Sequence, residues 1–282
     1  MNSQNTVSLF VQHEPQPAAP QSRSAWQIQR VVVFALLLRE LKTRFGGRWL
    51  GVFGTLAEPL GHALIVMAIY VFLRKRTVAG ADYVTYLISG MLPFFMFRSM
   101  VLRMMGGIDA NRALLAYRQV KPIDPLVARA MLEIGIYSVV YLIVLAGIGW
   151  FSTYRVIPDN PLELMAVSAA LLAGGFGLGL TAAVLTNGLP PMVRRIITYF
   201  FILVYFLSGT VFPVHSFPPR ILDWLLLNPV LHALELMRGA FFSSYQQLPG
   251  VSMDYVLMSG LIALTLGLSL YRVRRERLLF TA

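Results

Sequence analysis

Glu58 and His62 stand four residues apart in an apolar stretch, so on a helix they share one face. An ionisable pair at bilayer depth is costly and normally faces a bundle interior or a wet path. Two readings stay open: a carboxylate–imidazole pair that ties helices together, or part of a conduit or relay. Pro59, between them, removes a backbone donor and loosens the helix locally. A metal centre is not a serious reading, because one carboxylate and one imidazole do not complete a ligand set and the chain has no cysteine. Arg98 and Glu133 are the other charges at this depth. They either pair with each other or snorkel towards the cytoplasmic ends of their helices.

Three further groups have chemistry in their spacing. Arg39, Lys42, Arg44 and Arg48 precede Trp49, an aromatic suited to fixing depth at a membrane interface. Arginine forks match phosphate and carboxylate bidentately, so this group suits either lipid headgroups or an anionic substrate. Tyr199, Phe200, Phe201, Tyr205 and Phe206 form an aromatic stripe that can stack on sugars or pack against helices and lipid. The segment 109–125 reads as a short capped helix: Asp109 as cap, Leu114, Leu115 and Tyr117 as apolar anchors, Arg112, Arg118 and Lys121 as polar ones, Pro122 and Pro125 as stops. Such a helix between two spans suits docking to a cytoplasmic partner, and a plain capped turn is its bland alternative.

The elements that position these residues follow from composition. The 282 residues are 57% hydrophobic and only 13% charged, about half the charge usual in a soluble domain. The apolar residues fall in blocks of about 20, the length of a helix crossing a ~30 Å hydrocarbon core. The fold expected is an all-α polytopic membrane protein with six transmembrane helices, near 49–73, 83–105, 127–151, 162–186, 196–212 and 251–271. An amphipathic interfacial helix precedes them at 26–45, with Phe34, Leu37, Leu38, Leu41 and Phe45 on one face and Arg39, Glu40 and Thr43 opposite. Residues 213–245 are apolar but broken by Pro213, Pro218, Pro219 and Pro229, which predicts two short re-entrant helices at the periplasmic face with a turn at Asn228-Pro229. Residues 1–24 are polar and proline-containing, and read as a disordered cytoplasmic tail before a membrane domain at 25–282.

With both termini in the cytoplasm, 17 of the 24 Lys/Arg fall on the cytoplasmic side and 6 outside, with Arg98 inside a span. Arg74, Lys75 and Arg76 are the exceptions, and only snorkelling from a span end accounts for them. The net charge of +11 is therefore topological. Nucleic-acid binding is disfavoured, because no soluble stretch is long enough for a binding domain. No GxxxxGK[ST] motif occurs, so the chain does not hydrolyse nucleotide through a P-loop. Gly174, Gly175, Gly177 and Gly179 fit no dinucleotide fingerprint and read as helix-packing residues.

Four segments carry a family resemblance: RELKTRF (Arg39–Phe45), LGVFGTLAEPLGH (Leu50–His62), QVKPIDPLVARAMLE (Gln119–Glu133) and LLLNPVLHALELMRGAFF (Leu225–Phe242). In that order and spacing the chain, from about Arg30 onward, resembles the membrane subunits of capsular-polysaccharide ABC exporters, the KpsM-like permeases. The resemblance implies a homodimer in the bacterial inner membrane, paired with two copies of a cytoplasmic ABC ATPase. ATP and Mg would be bound by that partner and no cofactor by this chain. It implies that 109–125 couples to the ATPase, that 26–45 is a gate helix, and that the cargo is a lipid-linked anionic polysaccharide handed to periplasmic and outer-membrane export proteins. Lipid-linked O-antigen or teichoic acid is the alternative cargo on the same architecture. A membrane-embedded glycosyl- or acyltransferase is a third reading, weakened by the lack of a carboxylate or histidine cluster among only 13 acidic residues.

Overall fold

The computed structural model describes residues 24–46, 57, 60–62, 64–66, 68–69, 83–151 and 156–280, and all the observations below concern these. They are helical or in turns, with no strand among them. Most of the first predicted span, 49–73, lies outside them, including Trp49 and Glu58, as do Arg48, the 74–76 basic run and the tail before Ser24. The described residues between 57 and 69 are helical.

Helix α1 is Ala25–Phe45. A capping box starts it: the Gln27 amide donates to the Ser24 hydroxyl at 3.3 Å, and the Ser24 amide donates to the Gln27 side chain at 3.1 Å. Gly46 ends it in the left-handed region at φ 60°. Helices α2 (Tyr83–Met105), α4 (Asp124–Phe151), α5 (Pro161–Thr186) and α9 (Met253–Phe280) are long and apolar enough to cross a membrane. Between α2 and α4 lie a 3-10 turn, Asp109–Asn111, and the one-turn helix α3, Arg112–Leu115. Helix α6 is Pro191–Leu207, and the short helices α7 (Pro219–Leu225) and α8 (Pro229–Phe241) follow.

Helix α2 is the buried centre, flanked by α4, α5 and α8 and touched by α6; α9 packs on α5 and α8, and α1 on α4. Ile88, Met91, Leu92 and Phe94 of α2 form one apolar core with Leu132 and Val140 of α4, Val167 of α5 and Leu234 of α8. A second core joins Met100 and Met104 to Ile108, Leu115, Leu126, Leu180 and Leu278. The glycines of α5 serve both neighbours. A Cβ on Gly175 or Gly179 would strike Phe97, Met100 or Met104 of α2, while one on Gly174 or Gly177 would strike the backbone of α9 at Gly260 or Ala263.

Two boundaries differ from the sequence expectation. The apolar run at 196–212 is not one helix: α6 begins at Pro191 and stops at Leu207, where Ser208 caps it and Gly209 turns the chain at φ 63°. Hydropathy continues past that point because the turn is buried, with Ser208, Gly209 and Thr210 all inside. Pro125 does not stop a helix but sits in the first turn of α4, where a missing amide hydrogen costs nothing. The expected Asn228-Pro229 turn does start α8: the Asn228 side chain accepts from the Val230 amide at 3.0 Å.

Candidate functional site

Gln29, Glu40 and Arg44 of α1 turn towards protein, which reverses the expected orientation of Glu40. Glu40 and Arg44, one turn apart on α1, meet Arg129 and Glu133, one turn apart on α4. Arg129 Nε donates to Glu40 at 2.9 Å, and Arg44 pairs with the buried carboxylate of Glu133. The signs alternate, so this two-rung ladder fixes register as well as contact. Ser99 donates to Glu133 at 2.6 Å, and Arg103 lies 3.8 Å from it. Arg39 donates to Asn111 at 2.6 Å, and Gln29 reaches Asp124. Trp26, Val31 and Phe34 point outward and are more than half exposed, while Lys42 is also exposed. Of the basic group, Arg39 and Arg44 are therefore held by protein partners. Arg98 and Glu133 do not pair; the partners of Glu133 are Arg44, Ser99 and, at 3.8 Å, Arg103.

His62 and Tyr205 come together, as two of the conduit candidates. His62 Nε2 is 3.4 Å from the Tyr205 hydroxyl, and its ring lies edge-on to Phe95 at 4.9 Å. Tyr205 stacks on Phe95 at 5.6 Å and 11° and touches Phe94 at 5.3 Å. Below them Phe201 meets Phe97 at 6.0 Å. The aromatic stripe is thus split: Phe201 and Tyr205 turn to α2, while Tyr199 and Phe200 are 64% and 60% exposed on the other side. The spacing explains it, since 201 and 205 are one turn apart and 199 and 200 are not on that face. Arg98 lies one turn along α2 from Phe94 and Phe95.

The coupling segment is less of a helix than expected. Asp109 makes no cap bond; it binds Arg112 at 2.8 Å and also pairs with Arg194 at the start of α6. Leu115 does not stand free on the surface as an apolar anchor would. It is buried in the second core, because the one-turn α3 folds inward to cover Met104 and Leu180. Tyr117, 65% exposed, with Arg118 and Lys121 also exposed, is what this segment presents.

Two functional-looking groups were missed. Arg194 was read only as a topological charge, and its partner is 85 residues away. Glu235 and Arg238 of α8 form a fully buried ion pair at 2.7 Å, with Tyr245 donating to Glu235 at 2.9 Å. Their i, i+3 spacing inside an apolar run was the available signal.

The sequence profile of the ABC-2 type transporter family matches residues 31–242. The chain is 38% identical over 258 residues to the polysialic acid transport protein KpsM of Escherichia coli, covering 92% of this chain and 99% of that one. It is 30% identical to the capsule polysaccharide export inner-membrane protein CtrC of Neisseria meningitidis, over 88% of this chain and 93% of that one. It is 27% identical to the capsule polysaccharide export inner-membrane protein BexB of Haemophilus influenzae, over 86% and 90%.

Proposed function

The chain belongs to the ABC-2 type transporter family, and we propose that it is the membrane subunit of an ATP-driven exporter that moves a lipid-linked anionic capsular polysaccharide from cytoplasm to periplasm. The observation that carries this is the near end-to-end similarity to three proteins named for transport of polysialic acid or export of capsule polysaccharide. Polysialic acid has a carboxylate on every sugar, which sets the charge of that relative's cargo. The chain would act as a homodimer in the inner membrane with six spans, the first at 49–73, and both termini in the cytoplasm. Two copies of a separate ATPase would supply ATP and Mg chemistry, since this sequence has no P-loop. Periplasmic and outer-membrane export proteins would receive the glycan.

Each element then has a task. Helix α1 lies at the cytoplasmic interface with Trp26, Val31 and Phe34 towards lipid, and Lys42 with Arg48 and Trp49 meets the anionic head of the glycolipid. Helices α7 and α8 dip into the outer leaflet. His62, Tyr205 and Phe95 line the conduit, where aromatic faces suit sugar rings. Purification of the chain with its ATPase, assayed with and without lipid-linked glycan, tests the assignment. Glycolipid-stimulated ATP hydrolysis supports it, and hydrolysis indifferent to every anionic glycolipid tried counts against it.

Docking of the 109–121 segment on the ATPase predicts that Tyr117→Asp with Arg118→Glu dissociates the complex while the membrane subunit stays folded. Both side chains are exposed, so the spans lose no packing. Co-purification and export that survive the double substitution would remove this surface from the interface.

A further inference from the structure

We propose that Arg194 is a positioning residue that transmits ATPase-driven movement of the 109–121 segment to helix α6, through its ion pair with Asp109. The inference rests on the exporter reading and adds the link between its docking surface and its conduit. One carboxylate joins two helices here: Asp109 Oδ1 accepts from Arg112 Nε at 3.1 Å and Nη2 at 2.8 Å, while Oδ2 pairs with Arg194. Arg194 Nη2 also lies 3.4 Å from the Thr186 carbonyl at the end of α5.

The register of α6 gives the pair its reach. Arg194, Thr198, Phe201 and Tyr205 follow at i, i+4, i+7 and i+11, so they occupy one helix face. Eleven residues of helix span about 16 Å. The ion pair therefore grips one end of a rod whose other end carries Tyr205, stacked on Phe95 and within 3.4 Å of His62. The rod is lightly held, since Phe201 is the one buried residue of α6.

The 109–121 segment has two attachments of different kinds. Leu115 is buried against α2, α5 and α9 partners, which fixes the segment to the bundle. Asp109 is held by a partly exposed ion pair to α6, a helix whose described residues include one buried side chain, Phe201. A push on Tyr117 and Arg118 from outside therefore tilts the segment about its buried Leu115, and the ion pair carries that tilt to α6. Without Arg194 the segment would move and α6 would not follow.

The test uses the exporter complex in lipid vesicles and the cysteine-free background of the chain. Arg194→Gln is expected to assemble with the ATPase and hydrolyse ATP but to lose most glycan export per ATP. Arg194→Lys, which keeps a cation facing Asp109 and leaves the Asp109–Arg112 pair intact, is expected to retain most of it, which a role of the guanidinium in folding alone would not require. Spin labels on cysteines introduced at Ala113 and Leu203 report the link without any glycan. Their separation should be the same with and without ATP in the parent protein, and ATP-dependent in Arg194→Gln. Unchanged export per ATP in Arg194→Gln, or label separations that match the parent's, would overturn the inference. A parent complex that exports no glycan but shows the label behaviour would overturn the exporter reading and leave the link standing.

Discussion

Glu235→Ala is expected to remove most folded protein from the membrane fraction, the largest loss of any single polar substitution here. Glu235 and Arg238 are both fully buried and bonded at 2.7 Å. Arg238 also donates to the Gly209 carbonyl at 2.7 Å and lies 3.8 Å over the Tyr86 ring. Burial pushes the Tyr245 hydroxyl far above the usual phenol range, so it stays protonated and donates to both Glu235 oxygens. The group ties α8, α2, the turn after α6 and the 242–252 loop together. Taking the carboxylate away strands a buried guanidinium, which costs about 3–5 kcal/mol, whereas replacing both partners by apolar residues costs much less. The detergent-solubilised single variant should melt about 10 °C lower than the parent, with Glu235→Leu plus Arg238→Met lying between them. A single variant that melts with the parent would show that the pair is not holding these elements.

Gly177→Val is the second large effect, and it acts through shape alone. The α5–α9 contact is the most extensive between helices in the structure. At Gly177 the backbones approach so closely that a Cβ would overlap the Ala263 carbonyl and the Leu264 amide, and Gly267 opposes Gly177 in the same way. Backbone cannot yield as a flexible side chain can, so the helices must separate, at a cost of about 3 kcal/mol or more. Gly147→Val is the control, since among the described residues nothing lies within 4 Å of a Cβ there. Size-exclusion profiles after solubilisation should show Gly147→Val monodisperse and Gly177→Val aggregated or absent. Equal profiles would mean that α5 and α9 do not pack this closely.

What was legible in the sequence was whatever depends on one helix at a time. The span at 83–105 was placed at both ends, and the helix expected at 26–45 lies within one residue of α1, because apolar length and periodicity are local. The end of α6 was not legible: hydropathy reports burial, and the chain is buried at 208–210, after the helix stops at Leu207. The inward turn of Glu40 and Arg44 was hidden because it needs Arg129 and Glu133 in matching register on another helix. On α1 alone, an apolar face predicts that the polar face is wet. The burial of Leu115 was hidden for the same reason in reverse, since an apolar residue on a short loop helix can anchor a partner or cover a core. Only the neighbouring Met104 and Leu180 decide for the core. Asp109 reads as a cap in the sequence because its partner in the fold, Arg194, is distant in sequence.

The most direct measurement is movement of glycan across a sealed membrane. The chain and its ATPase would be reconstituted in vesicles with a lipid-linked anionic polysaccharide and a glycan-cleaving enzyme trapped inside. ATP added outside energises the transporters whose ATPase faces outward. Glycan should then be lost from the outer face and cleaved within, in a manner that needs ATP, the ATPase and this chain together. Glycan that stays intact outside while ATP is hydrolysed, or that enters without ATP, would contradict the assignment of this chain as the path of an ATP-driven polysaccharide exporter.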